Sequence, residues 1–230
     1  MPVASHSRRL FHFFAYHFYA RPKISRTDRV RMEGFNLVVP PSVFHPKLYF
    51  SSAYLASYVR TMDLKGSTAL DMGCGSGLLA LAAAEAGARV TAIDINPASV
   101  IATIENSKAN GLDFSISSFE SDMFSGLARP RPLFDIVMLN PPYYEGEAKS
   151  VGEKAWKGGD NFLFLRAFIS EVKDYLMPAG KILLVLSDSV DIGSILGLFV
   201  QSGFQLTILR SKKVLFERLF LVDCRFRPFS

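Results

Sequence analysis

Two short stretches of the chain carry residues whose types and spacing could do chemistry. Asp71-Met72-Gly73-Cys74-Gly75-Ser76-Gly77 places glycine at every second position, and Asn140-Pro141-Pro142-Tyr143 follows about seventy residues later. Alternate glycines let a backbone turn sharply and lie against a ligand where a Cβ would collide. The tetrapeptide offers hydrogen-bond acceptors that are held still. Each proline fixes its own φ near about −65° and pushes the residue before it into an extended conformation, which directs the Asn140 side-chain oxygen and the Pro141 carbonyl outward. Tyr143 adds an aromatic face. The pair reads as a nucleotide-like cofactor held by the glycine turn and a planar substrate nitrogen held by the tetrapeptide. The bland alternative is an Asn-Pro-Pro turn that only ends a strand. Its place at a strand end, downstream of a matched glycine turn, favours the functional reading.

The elements that must position these residues follow an alternating pattern. An apolar run (Thr68 to Leu70) precedes the glycine turn and an Ala/Leu-rich segment (Leu78 to Ala86) follows it, which is a strand, a tight turn and a buried helix. Ile136 to Leu139 is a second buried strand, and the tetrapeptide closes it. Further strands are predicted at 88–93, 113–117 and 181–186. Helices are predicted at 51–62, from the Asn96-Pro97 cap to the Gly111 stop, along the stripe Phe162, Leu165, Phe168, Ile169, Val172 and Leu176, and at 192–201. Segments 204–209 and 218–224 have no helix between them and read as an antiparallel pair. The fold class is α/β, a mainly parallel sheet covered on both faces. Ligands in such sheets sit at the carboxyl ends of strands near a topological switch point, where both stretches lie. Residues 30–39 read as a hairpin around Glu33-Gly34. The division expected is a basic aromatic arm with this hairpin at 1–45 and the main domain at 46–230.

Three carboxylates keep company with the glycine turn. Asp94 closes the next strand about twenty residues on, where a carboxylate can accept hydrogen bonds from both ribose hydroxyls. Asp122 lies past the third strand, where an adenine amino group would need an acceptor. Asp71 opens the turn. As alternatives, Asp71 could cap the following helix, Asp94 could belong to a surface turn, and Asp122 could be an exposed loop residue. The sixth position of a dinucleotide fingerprint falls on Leu78, which counts against a nicotinamide dehydrogenase. Cys74 reads as a small filler of the turn rather than a nucleophile.

Hydrophobic residues make up 49% of the chain and charged residues 20%, and the net charge is +5. That charge is concentrated: residues 1–31 hold seven Lys or Arg against one acid. Clustered cations interleaved with Phe and Tyr favour a polyanion and unpaired bases as partners. An arm that packs its aromatics on the sheet and leaves its charges in water is the competing reading. Two cysteines, Cys74 and Cys224, suggest neither a disulfide framework nor a metal site and read as reduced thiols in a cytoplasmic protein. No apolar stretch reaches the roughly 18 residues of a membrane span. The aromatic run after Arg8-Arg9 lacks the small-residue cleavage site of a signal peptide.

Asp71 to Gly77, then Ala92-Ile93-Asp94-Ile95-Asn96-Pro97, then Phe134 to Tyr143 resemble the class I S-adenosylmethionine-dependent methyltransferases, in the branch that carries Asn-Pro-Pro-Tyr. Over about residues 44–225 the chain is similar to the HemK-type protein-glutamine N5-methyltransferases, in their short archaeal and eukaryotic form. Val43-Phe44-His45-Pro46 and Ala155-Trp156-Lys157-Gly158-Gly159-Asp160-Asn161 stand where that form carries similar stretches. The resemblance implies a Rossmann-like, seven-stranded sheet and S-adenosylmethionine as cofactor. By it Asp71, Gly73, Gly75 and Gly77 line the methionine and ribose side, Asp94 holds the ribose, Ile95 packs on the adenine, and Asp122 and Met123 flank the adenine edge. Asn140, which also stands among the cofactor-binding residues, and Pro141 then accept the hydrogens of the methyl acceptor's nitrogen, and Tyr143 lies against its planar group. Such a reaction calls for no metal. Lys47-Leu48-Tyr49 stands where the short form has acidic residues, which leaves Ser51 or Ser52 to supply one of those contacts. The acceptor expected is a macromolecule, either a protein glutamine such as that of a release factor or an exocyclic amine of an RNA or DNA base, with no membrane involved and room for an activating partner. The alternative is a non-catalytic or partner-dependent subunit that kept the fold.

Overall fold

The computed structural model describes residues 26–47, 50–142, 146, 157–215 and 217–227. Tyr143, Trp156 and the arm up to residue 25 lie outside the described residues.

The chain begins with a hairpin, β1 (Asp28–Met32) and β2 (Phe35–Val39), antiparallel about Glu33 and Gly34. Both turn residues have positive φ, which matches the twist of a two-residue hairpin loop. Helix α1 (Phe50–Val59) follows, then β3 (Thr68–Met72), α2 (Leu78–Glu85), β4 (Arg89–Asp94), α3 (Pro97–Ala109), β5 (Ile116–Glu120) and β6 (Phe134–Leu139). The second half runs α4 (Leu163–Val172), β7 (Leu176–Ser187), α5 (Ile192–Gln201), β8 (Phe204–Val214) and β9 (Glu217–Phe226). Strands β3 to β9 form one seven-stranded sheet in the order β5-β4-β3-β6-β7-β9-β8. It is parallel except for β9, which runs antiparallel to both of its neighbours.

The side-chain alternation of the strands explains the two layers. Ala69, Ile136, Met138, Leu183 and Leu221 face α1, α2 and the β1–β2 hairpin. Leu70, Val137, Leu139, Leu184 and Val222 face α4 and α5. Strands covered on both faces must be apolar throughout, and β6 is buried at five of its six positions. Helix α2 is buried from Leu78 to Ala84, and its alanines let it lie close to the sheet. The Asp135 carboxylate receives the Thr68 backbone N–H at 2.8 Å and the Thr68 hydroxyl at 2.9 Å. These bonds pin the start of β3 to the start of β6. The chain steps outward from β3 to β5, then returns to place β6 beside β3, so the switch point lies between β3 and β6.

Two elements differ from the sequence reading. The strand expected at 113–117 is a 3-10 turn at Asp113–Ser115 followed by β5 from Ile116. The chain needs that turn to come round from the end of α3 to the sheet edge, and it leaves Phe114 fully exposed. The stripe ending in Leu176 is α4, a 3-10 turn (Lys173–Tyr175) and then strand, because Leu176 pairs with Phe134. Pro178 is tolerated there because the register shifts between Phe134 and Ile136, so a bulge absorbs the missing donor.

Candidate active site

The glycine turn leaves β3 at Gly73, whose N–H donates to the Ile93 carbonyl at 2.8 Å, as does that of Cys74 at 3.0 Å. Gly73, Gly75 and Gly77 all have positive φ, a region where a side chain is strained. Their surroundings differ. At Gly73 nothing stands within 4 Å of where a Cβ would be, so the backbone opens onto the cavity. At Gly77 a Cβ would come within 3.0 Å of the Thr103 methyl, so this glycine lets α2 press against α3. The cavity has a volume of about 560 Å³, within the roughly 300–1,000 Å³ of small-molecule sites. Gly73 to Ser76, Asp94, Ile95, Asp122, Met123 and Asn140 all line it.

Asp94 closes β4 and is committed to the turn. One carboxylate oxygen accepts from the Gly75 N–H at 3.0 Å and the other from the Asn96 N–H at 2.8 Å. Burial raises its pKa, against the hydrogen bonds from Asn96, Gly75, Ser99 and Ile95 that favour the charged form. The carboxylate thus braces the turn while it lines the cavity. Of the two roles that the sequence left open for Asp71, it takes the helix-capping one. It is fully buried, lies outside the cavity wall, and accepts the Ala80 N–H at 3.0 Å, so it ties down the first turn of α2. Its other oxygen is buried without a hydrogen-bond partner. Burial, with a contribution from the Asp94 charge, pushes its carboxyl up to about 7. The Cys74 thiol is buried and its pKa is raised well above the usual value, first by burial and then by Asp94 and Asp71, which fits a filler.

A polar row on the buried face of α3 holds this turn, and the sequence reading missed it. Thr103 Oγ1 donates toward Cys74 Sγ at 3.2 Å and the Gly75 carbonyl at 3.3 Å. Asn106, fully buried, accepts the Val38 N–H at 2.8 Å and donates to the carbonyls of Val38 and Ser76, both at 2.9 Å. Asn110 extends the row to Asn36, at 3.0 and 2.9 Å. Ser99, Thr103, Asn106 and Asn110 recur at four, three and four residues, a helical spacing that could have been read as an inward polar stripe. The hairpin and the glycine turn are thereby fixed to one helix.

Asn140 leaves β6 one residue after Leu139, which pairs with Met72 of β3. The carboxamide therefore emerges beside Gly73 at the switch point. Its Nδ2 donates to Ser52 Oγ of α1 at 2.9 Å, and both residues line the cavity. Ser52 was one of two serines that the sequence marked for this end of the site. Pro141 is buried, and the wall continues with Pro142. Gly158 packs so closely on that turn that a Cβ there would overlap the Pro142 carbonyl oxygen. On the far side, Ser121 Oγ donates to the Met123 carbonyl at 2.6 Å and accepts the Gly126 N–H at 2.9 Å. That holds Met123 at positive φ and leaves Asp122 exposed on the wall. Phe44 and Pro46 cover the cavity from the segment after β2, which the buried His45 anchors to Asp28 at 3.1 Å. Among the described residues no cluster of His, Cys, Asp and Glu could hold a metal ion, and no helix is long and apolar enough to cross a membrane.

Comparison with known proteins agrees with this geometry. A relative from Methanocaldococcus jannaschii, under the provisional name protein N5-glutamine methyltransferase, is 30% identical over 200 residues, which cover 84% of this chain and 97% of that one. A ribosomal RNA small subunit methyltransferase C from Chromohalobacter salexigens is 29% identical over 68% of this chain and 43% of its own. Among solved structures, the T. thermophilus 16S rRNA N2 G1207 methyltransferase, in complex with AdoMet and guanosine, superposes with a TM-score of 0.65 at 23% identity, over 88% of this chain and 50% of that one. The M. jannaschii tRNA m1G37 methyltransferase superposes with a TM-score of 0.64 at 20% identity, over 88% and 57%. The chain thus spans nearly the whole archaeal relative but about half of these two solved structures. The open glycine turn and the Asp94 carboxylate on the cavity wall fit S-adenosylmethionine, which the T. thermophilus structure holds. With residues 34–207 matching the methyltransferase small domain, the chain belongs to that family of S-adenosylmethionine-dependent methyltransferases.

Proposed function

We propose that this chain is an N-methyltransferase whose acceptor is a planar nitrogen of a macromolecule, either a side-chain amide or an exocyclic amine of an RNA base. The observation that carries the reading is the Asn140 carboxamide at the switch point, beside Gly73, with its Nδ2 committed to Ser52. Once Nδ2 is engaged, the group that Asn140 has left to offer an acceptor is its Oδ1. The names of two relatives specify planar nitrogens of both kinds, a glutamine N5 and a guanine N2.

The lone pair of an amide or aromatic amine is delocalised and makes a poor nucleophile. Asn140 Oδ1 and the Pro141 carbonyl would accept the two N–H hydrogens of such a group, turning the lone pair out of conjugation. When bound, S-adenosylmethionine supplies an electrophilic methyl group on a sulfonium. Gly73, Gly75 and Asp94 would hold its amino-acid and ribose parts, and Ile95, Asp122 and Met123 its adenine. Tyr143 would lie against the flat acceptor, a contact of about 0.5–2 kcal/mol if it also faces the cation. Positioning contributes most of the acceleration, up to roughly 7–11 kcal/mol. The test is incubation of cell extract with the protein and methyl-labelled cofactor, followed by hydrolysis of the labelled product. Label on an amide or amine nitrogen supports the reading, and label on carbon, sulfur or oxygen overturns it.

A further inference from the structure

The register of the sheet places a second feature on the same rim as Asn140. Leu139 pairs with Leu184, so Asn140 stands level with Val185 of β7. Val185 pairs with Leu221 of β9, and Leu221 pairs with Arg210 of β8. Arg210 is therefore level with Asn140, three strands away, or about 14 Å at about 4.8 Å per strand. Beyond that level β8 and β9 keep pairing as far as Val214 with Glu217, while the last pairing of β7 is Ser187 with Leu219. The end of the hairpin thus rises above the carboxyl edge of the sheet, on the side where the cavity opens.

Its charge is one-sided. Arg210, Lys212, Lys213 and Arg218 are all exposed, and Arg210 lies over the Tyr58 ring at 4.9 Å. Lys213 stands directly opposite Arg218, an arrangement of like charges that destabilises an antiparallel pair. The acids nearby do not relieve it. Glu217 is turned to the Ser187 hydroxyl, and Asp188 accepts the backbone N–H of Arg218 at 2.8 Å. Among the described residues the Arg218 guanidinium reaches only the Ser211 hydroxyl, at 3.3 Å, and no ion pair forms with Lys212 or Lys213. Residues 32–230 together hold nineteen basic residues against twenty acids, so four cations within nine residues are a concentrated patch that wraps the hairpin, with Arg210 and Lys212 on one face and Lys213 and Arg218 on the other. It consists of hydrogen-bond donors without acceptors, which suits phosphate oxygens rather than a mixed peptide surface.

We propose that the β8–β9 hairpin docks the phosphodiester backbone of an RNA substrate, with Lys212, Lys213 and Arg218 as the contacts. The proposal rests on the N-methyltransferase reading and selects its RNA branch. Lys213 and Arg218 stand three residues beyond the Arg210 level, about 10 Å at about 3.3 Å per residue, which puts them about 17 Å from Asn140, a span of a few nucleotides. A backbone held at the hairpin thus brings a nearby base to the carboxamide.

The test measures binding of a fluorescent stem-loop RNA of about 20 nucleotides to the full chain and to the triple variant Lys212→Ala, Lys213→Ala, Arg218→Ala, as a function of salt. The basic arm is retained in both proteins. Each lost phosphate contact removes about 0.7–0.9 from the slope of log affinity against log salt. The variant should therefore lose about two units of slope and bind about 100-fold more weakly at about 0.1 M salt, with unchanged melting temperature and cofactor affinity. The Lys212→Arg, Lys213→Arg double variant should bind as the parent does. Unchanged RNA affinity in the triple variant, no RNA binding by the parent chain, or methyl label that resists nuclease and yields to protease would overturn the proposal. Those results leave the N-methyltransferase reading standing, because that reading fails separately, on an active Asn140→Ala protein.

Discussion

Asn106→Ala isolates the coupling between the hairpin, helix α3 and the glycine turn. The substitution removes three hydrogen bonds, the two to Val38 and the one to Ser76, from a residue with no exposed surface. At about 1 kcal/mol net each, the loss is about 3 kcal/mol. For a chain of this size about 2–4 °C of melting temperature accompanies each kcal/mol, so the midpoint should fall by about 6–12 °C. The bond to Ser76 carries the functional part. Freed of it, the turn samples other conformations and cofactor binding weakens by about tenfold or more. Thermal melting followed by circular dichroism, with cofactor titration on the same preparations, reads both effects. Asn106→Asp keeps the acceptor for Val38 but sets a carboxylate against two carbonyl oxygens, and it should fare no better than alanine. A melting temperature within about 2 °C of the parent, together with unchanged cofactor affinity, would refute the idea that α3 holds the turn.

The other expectations follow from single contacts. Ser52→Ala removes the partner of Asn140 Nδ2 and should lower kcat about tenfold with little change in cofactor affinity, while Ser52→Thr restores it; equal loss in both variants would point to packing alone. Gly158→Ala forces the Pro142 carbonyl aside and should reduce turnover more than melting temperature, as a paired activity and melting measurement would reveal. Asp71 has a folded pKa of about 7 against about 3.9 when unfolded, so the folded state holds the proton more tightly. Its stabilising effect is complete below about pH 4 and is lost as pH rises through about 7. Asp71→Asn should therefore gain stability relative to the parent between pH 5 and pH 8 in denaturant titrations, and a constant difference would contradict the burial argument.

Much of the fold was legible because its signals are local. Glycine at alternate positions, Asn96-Pro97 opening α3 and the unbroken apolar run of β6 each announce an element without help from distant residues. The failures share a cause. Leu176 fits a helical stripe and also pairs with Phe134, and only the tertiary register decides between them. In the site, Asp94 was legible because its spacing from the turn puts it at the end of the adjacent strand. Asp71 stayed open between a cofactor role and a cap on α2, because alternation along β3 does not reveal that Ala80 N–H waits beneath the turn. The α3 row escaped because buried Asn and Thr on a helix resemble a solvated face until their partners are known. Ser52 could be marked only as one of two serines, since the choice depends on which face α1 turns to β6.

In this mechanism the Asn140 carboxamide organises the acceptor nitrogen and contributes little to cofactor affinity. Single-turnover methyl transfer by Asn140→Ala, with cofactor affinity measured by calorimetry on the same protein, tests it most directly. The rate should fall by roughly 100- to 1,000-fold or more, with affinity within a few-fold of the parent. A rate within tenfold of the parent, or a loss fully explained by weaker cofactor binding, would contradict it.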